Sequence, residues 1–116
     1  MRVLLLNPPG RRVYIRDYYC SKVSQADYIS HPVDFLIMSA WLGHGGHEVR
    51  LMDAIADRLP PEEALRRIEA LRPDAIVALA GAVSWDEDLA FLARVKEVSR
   101  GPLLAGGDLF LDDARR

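Results

Sequence analysis

Three short hydrophobic runs, each closed by a turn rich in glycine or proline, constrain what this chain can fold into. Arg2–Asn7 leads into Asn7-Pro8-Pro9-Gly10, Asp74–Ala80 into Gly81-Ala82-Val83-Ser84, and Leu103–Ala105 into Gly106-Gly107-Asp108. Val3-Leu4-Leu5-Leu6 and Ala75-Ile76-Val77-Ala78-Leu79-Ala80 contain no polar side chain, so neither run offers a face to water. Continuous apolar runs of this length read as strands of a parallel sheet covered on both faces. If all three strands are parallel, their turns share one rim, where open α/β sheets bind ligands.

The segments between the runs read as helices and one further strand. Pro32 opens a helix that runs to His44, with Val33, Phe35, Leu36, Ile37, Met38, Ala40, Trp41 and Leu42 distributed around it. A helix without a polar face is expected to be buried on more than one side, in part against another domain. Gly43, Gly45 and Gly46 end it. Glu48–Met52 alternates polar and apolar residues and reads as an edge strand with one drier face. Pro60-Pro61-Glu62-Glu63 starts a second helix, with acids at the positive end of its dipole. Leu65, Ile68 and Leu71 form its apolar stripe, and Pro73 stops it. Ser84-Trp85-Asp86-Glu87 has capping-box spacing, in which Ser84 and Glu87 each satisfy the other's backbone N–H. In the third helix Leu89, Leu92, Val95 and Val98 are expected to face inward, before Gly101-Pro102.

The order β-loop-α-β-α-β-α-β predicts an α/β fold: a Rossmann-like or flavodoxin-like three-layer sandwich with a parallel sheet. The expected strand order is 2-1-3-4-5, with four strands within residues 1–116 and the sheet cut short of its fifth. The chain thus reads as one domain, the N-terminal fragment of a larger protein. Residues 10–32 fit this scheme least. They carry Tyr14, Tyr18, Tyr19 and Tyr28 among Arg11, Arg12, Arg16 and Lys22, with little periodicity. So long a connection without regular structure points to function or to a neighbouring domain.

Composition excludes several classes. A net charge of −2 gives no footprint for nucleic acid. No apolar run approaches the roughly 20 residues of a membrane helix, and the first ten residues serve better as a buried strand than as a signal peptide. With one cysteine, Cys20, the chain has no internal disulfide and no thiolate cluster, so a cytoplasmic setting is expected.

The turns match none of the common nucleotide or catalytic motifs. No Gly-x-Gly-x-x-Gly follows the first strand, so Asp53 reads as a strand-ending turn acid rather than a ribose ligand. A P-loop is absent. A phospho-acceptor domain would need acids where Asn7-Pro8 and Ala80-Gly81 stand. His44-Gly45-Gly46-His47 reads as a polar helix end rather than a metal site, and Cys20 as a spectator thiol. Ser84 has no histidine or paired acid to activate it, so a hydrolase or transferase built on Ser84 and Asp108 lacks a base. Gly106-Gly107 suits close backbone approach to a ligand. Asn7-Pro8-Pro9 offers no row of amides and suits a large, flat ligand packed by shape better than a phosphate cradle.

Taken together, Arg2-Val3-Leu4-Leu5-Leu6-Asn7-Pro8-Pro9, Gly46-His47-Glu48-Val49, Asp53-Ala54, Pro73-Asp74 and Gly106-Gly107 resemble one domain type. The chain is similar over nearly its whole length to the N-terminal cobalamin (B12)-binding domain of B12-dependent radical SAM enzymes. The resemblance implies cobalamin held at the C-terminal rim of the sheet, by Asn7, Pro8 and Pro9, by Gly81, Ala82, Val83, Ser84 and Trp85, and by Gly106, Gly107 and Asp108. It implies no metal-ligating residue, because Asn7-Pro8-Pro9-Gly10-Arg11 stands where other B12 domains carry Asp-x-His-x-x-Gly. The cofactor would be bound base-off, for methyl transfer or related radical chemistry. The [4Fe–4S] cluster and S-adenosylmethionine would belong to a radical SAM catalytic domain of the same parent chain, since Cys20 alone cannot hold a cluster. This fragment by itself is then expected to be inactive. The alternative is a protein-interaction or regulatory module of the same fold that binds no cofactor, supported by the apolar first helix and the tyrosine-rich segment.

Overall fold

The computed structural model describes residues 1–16, 21–24 and 32–111. Tyr18, Tyr19, Cys20 and Tyr28, singled out above, lie outside them.

Among the described residues, six strands and three α-helices follow in the order β1 (Arg2–Asn7), β2 (Tyr14–Arg16), β3 (Ser21–Val23), α1 (Val33–His44), β4 (Glu48–Asp53), α2 (Pro61–Leu71), β5 (Ala75–Leu79), α3 (Trp85–Val98) and β6 (Leu103–Gly106). Four of the strands form an all-parallel sheet in the order β4-β1-β5-β6. Counting the parallel strands alone, this is 2-1-3-4, the flavodoxin-like order. β1 lies at the centre because Val3–Leu6 has apolar side chains for both faces; Leu4, Leu5 and Leu6 are fully buried. On one face Leu4, Leu6, Ile76 and Ala78 pack against Ala64, Leu65 and Ile68 of α2 and Phe91, Leu92 and Val95 of α3. On the other face Val3, Leu5 and Leu79 pack against Phe35 of α1.

The third helix buries a different stripe from the one expected. Asp88, Phe91, Leu92 and Val95 face inward, spaced i, i+3, i+4 and i+7, while Leu89 and Val98 are exposed. Phe91, two positions beyond Leu89, takes the place in the core between the sheet and α2.

Two other expectations are corrected. α1 is not buried on several sides among the described residues: Phe35 is its one buried residue, and Val33, Leu36, Ile37 and Trp41 are exposed, Trp41 by 75%. Among the described residues, α1 is the one helix on this face of the sheet, and none of them covers its outer side. The connection after β1 is not structureless either. Tyr14–Arg16 and Ser21–Val23 pair antiparallel as a small second sheet, closed at its base by the Ser24 N–H donating to the Val13 carbonyl at 2.8 Å.

The β6 end depends on a glycine. Gly107 has φ +136°, and a Cβ there would lie 2.2 Å from the Ala80 carbonyl oxygen. The chain leaving β6 therefore crosses directly against the end of β5. At Gly106 the same test meets nothing within 4 Å.

Candidate functional site

The three turns named from the sequence do share one rim. Asn7–Pro9 leaves β1, Gly81–Trp85 joins β5 to α3, and Gly106–Asp108 leaves β6, at the C-terminal ends of three adjacent strands. In this strand order the switch point, where such sheets open a crevice for a ligand, lies between β1 and β5, and here it is filled by the chain itself.

The occupant is Arg16, at the end of β2. Its side chain is wholly buried against Asp88 of α3, which is equally buried. Nε and Nη2 donate to the two Asp88 carboxylate oxygens at 3.0 and 2.6 Å. Nη1 donates to Asn7 Oδ1 at 3.0 Å and to the Pro8 carbonyl at 2.8 Å. The Tyr14 ring lies 5.2 Å from the guanidinium carbon, within cation–π range. A charge this deep persists only when its donors are satisfied, and here a bidentate carboxylate and two further acceptors meet them.

The remaining rim groups join the same network. Asn7 Nδ2 donates to Asp53 Oδ1 at 2.9 Å, and Asp53 also accepts the Ala56 N–H at 3.1 Å. Asp53 thus acts as the turn acid that its place at a strand end suggests. Asp88 Oδ2 takes the Gly81 N–H and the Ser84 hydroxyl, each at 2.8 Å. The Ala82 N–H donates to Asp108 at 2.7 Å and the Val83 N–H to Ser21 Oγ at 3.1 Å. The Ser21 hydroxyl in turn donates to Asp108 at 2.9 Å. No buried side-chain nitrogen or oxygen among the described residues is left without a partner.

The capping-box reading is therefore corrected. Ser84 stands at the N-cap of α3 but makes no side-chain cap bond, because its hydroxyl goes to Asp88. Glu87 reaches back to the first loop, accepting the Arg11 N–H at 2.8 Å and the Tyr14 hydroxyl. Burial pushes the Glu87 carboxyl up, but the bonds from Tyr14 and Arg11 outweigh it and hold the carboxyl below its ordinary range. Burial and that same bond to a carboxylate raise the Tyr14 phenol to about 12.

Of the residues predicted for the site, Asn7, Pro8, Pro9, Gly81, Ser84 and Gly107 are buried; Ala82, Gly106 and Asp108 are half-buried. Val83 and Trp85 remain as exposed apolar surface at the rim, 43% and 48% exposed. Gly107 stands close to backbone, as expected, but that backbone is Ala80. The reading of the sequence missed Arg16, Ser21 and Asp88. Asp88 carried a signal, since a lone acid on the stripe of Phe91, Leu92 and Val95 must find a partner in the core. Arg16 carried none, being one of several arginines in an irregular segment. No group of three or more potential metal ligands occurs among the described residues, and His47 lies instead 3.3 Å from the N-terminal amine.

Beside the filled crevice, on the side of α2 and α3, lies a cavity of about 670 Å³. It opens between the β1 exit, the β4–α2 connection and the first turns of α3.

No family model, curated protein or solved structure matches the chain.

Proposed function

We propose that this domain holds base-off cobalamin across the C-terminal rim of its sheet, for a radical SAM catalytic domain of the same parent chain that performs methyl transfer or a related radical step. The observation that carries the reading is the convergence of Asn7–Pro9, Gly81–Trp85 and Gly106–Asp108 on the ends of three adjacent parallel strands. Two of these turns, Asn7-Pro8-Pro9 and Gly106-Gly107, are among the motifs that carry the resemblance to the cobalamin domains.

The rim fits a flat ligand lying on it and does not fit a group inserted between β1 and β5, where Arg16 and Asp88 sit. Its amides are turned inward to Asp88, Asp108 and Ser21, so the outward surface is apolar, with Val83 and Trp85 as the platform. Asn7 is buried and engaged with Asp53 and Arg16, in keeping with a cofactor held without a protein ligand to cobalt. When bound, cobalamin supplies cobalt-centred methyl-transfer or radical chemistry. The part of this chain is to orient the cofactor and exclude water. The exposed α1 face, Val33, Leu36, Ile37 and Trp41, is the surface we assign to the catalytic domain.

Titration with hydroxocobalamin, followed by tryptophan quenching and equilibrium dialysis, tests the reading. Saturable binding, weakened about tenfold by Trp85→Glu, is expected, since tenfold corresponds to ~1.4 kcal/mol, less than a buried aromatic contact commonly supplies. Trp41 stays as an internal control for non-specific quenching. Binding that ignores Trp85→Glu refutes the assigned platform, and no saturable binding refutes the cofactor role.

One observation favours a second reading. Arg16 and Ser21 fill the switch point and satisfy its polar groups, as they would in a protein-interaction or regulatory module that binds no cofactor. That module would use the exposed face of α1, and failure of the titration selects it.

A further inference from the structure

We infer that the 670 Å³ cavity beside β1 is a second binding site, for a small aromatic phosphate of mononucleotide size. Its floor is apolar and fully formed: Ala54, Ile55, Leu59 and Phe91 line it, and each is at most 9% exposed. Its rim is basic, with Arg11, Arg12, Arg58 and Arg94 against one lining carboxylate, Glu87. On a chain of net charge −2, this concentration of cations at one cavity mouth is a local departure from the average.

The arginines are not equivalent. Arg11 is paired with Glu87 at 3.2 Å, and Arg94 with Glu62 at 2.5 Å. Glu87 stays ionised, but the Arg11 guanidinium offsets its charge and its oxygens are taken up by the Tyr14 hydroxyl and the Arg11 N–H. Arg12 and Arg58 make no ion pair with any described residue, and both are exposed at the mouth. Two unpaired guanidiniums reaching from different loops suit the several oxygens of a phosphate, which a guanidinium meets through two parallel N–H bonds. A volume of this size lies within the ordinary range for small-molecule sites, which combine apolar walls with a few placed polar groups.

The division of the cavity sets the ligand's chemistry. A flat ring covers the apolar floor while its phosphate stays at the arginine mouth. Inorganic phosphate alone would forgo the floor, and an uncharged nucleoside would forgo the mouth. The cavity borders the proposed cobalamin rim at Pro9 but includes neither Val83 nor Trp85, so the two ligands are titrated separately.

The experiment is calorimetric titration of the whole chain with AMP, adenosine and inorganic phosphate in turn. AMP is expected to bind saturably, and adenosine and phosphate each at least about tenfold more weakly, the loss that follows from removing one charge-assisted contact or the ring burial. Arg12→Gln/Arg58→Gln is expected to reduce AMP affinity by a similar factor or more. Ala90→Trp, which places a large ring into the cavity from the exposed side of α3, is expected to abolish it. Far-UV circular dichroism of the variants checks that the fold is kept. Absence of saturable AMP binding overturns the inference. So does binding to folded Ala90→Trp at wild-type affinity, or equal affinities for AMP and adenosine. A hydroxocobalamin titration run alongside reports on the rim separately.

Discussion

Asp88 is where a single substitution should cost this domain most for the fewest atoms changed. Its carboxylate accepts two hydrogen bonds from Arg16, one from the Gly81 N–H and one from the Ser84 hydroxyl, at 2.6–3.0 Å. Asp88→Asn keeps an acceptor for Gly81 and Ser84 but leaves the Arg16 guanidinium, with no solvent exposure, beside neutral acceptors only. Removing one partner of a buried ion pair costs about 3–5 kcal/mol. Against a total stability of roughly 5–15 kcal/mol for a domain, that is a large fraction. Arg16→Met strands the opposite charge and is expected to cost a comparable amount. The double variant Arg16→Met/Asp88→Asn leaves neither charge, so its cost should fall short of the sum by about 2 kcal/mol or more. Urea denaturation of the four proteins at neutral pH, followed by circular dichroism, completes the cycle. Additive single costs, or a loss below about 1 kcal/mol for Asp88→Asn, would show that the β2–β3 hairpin does not bury Arg16 in solution. The account of the filled crevice would then fail.

Three further outcomes are expected. Gly107→Ala should lower stability by ~2 kcal/mol or more, because its φ of +136° is strained for alanine and the new Cβ meets the Ala80 carbonyl at 2.2 Å; Gly106→Ala, with nothing within 4 Å, should stay within about 0.5 kcal/mol in the same urea assay. Glu87 has a depressed folded-state pKa, so its stabilisation should be complete above its ordinary 4.5 and lost as pH falls through the lower folded value. Acid unfolding monitored with and without Glu87→Gln checks this, and superimposable curves below pH ~4.5 would refute it. Tyr14 should ionise near 12 rather than 10.0, visible as the component of the alkaline tyrosinate absorbance that Tyr14→Phe removes. Since its folded pKa is raised, the Tyr14 contribution is present below pH 10.0 and is lost as pH climbs towards 12.

Much of the architecture was legible from residue order. Val3–Leu6 and Ala75–Ala80 read as strands covered on two faces, because no register of a half-exposed strand hides consecutive apolar side chains. Pro8, Pro60, Pro73 and Pro102 mark element boundaries, since each removes a backbone donor. From strand–helix alternation follow the parallel sheet and its 2-1-3-4 order, and with them the gathering of the three turns on one rim. These are local properties: periodicity, missing amides and chain connectivity.

Tertiary structure alone decided what fills that rim. Arg16 and Asp88 are 72 residues apart; the stripe of Phe91, Leu92 and Val95 marks Asp88 as an acid in need of a partner, but nothing local to Arg16 names it as that partner. The same holds for Ser84, whose spacing to Glu87 reads as a capping box until the competing acceptor, Asp88, is brought within 2.8 Å of its hydroxyl. α1 shows the limit from the other side: its composition demands burial, but only packing determines which residues receive it, and the sheet takes Phe35 and leaves Trp41 to water. Sequence patterns encode what each segment must hide or bond. Which distant segment answers that demand depends on three-dimensional proximity, and here the answering segment was the hairpin after β1.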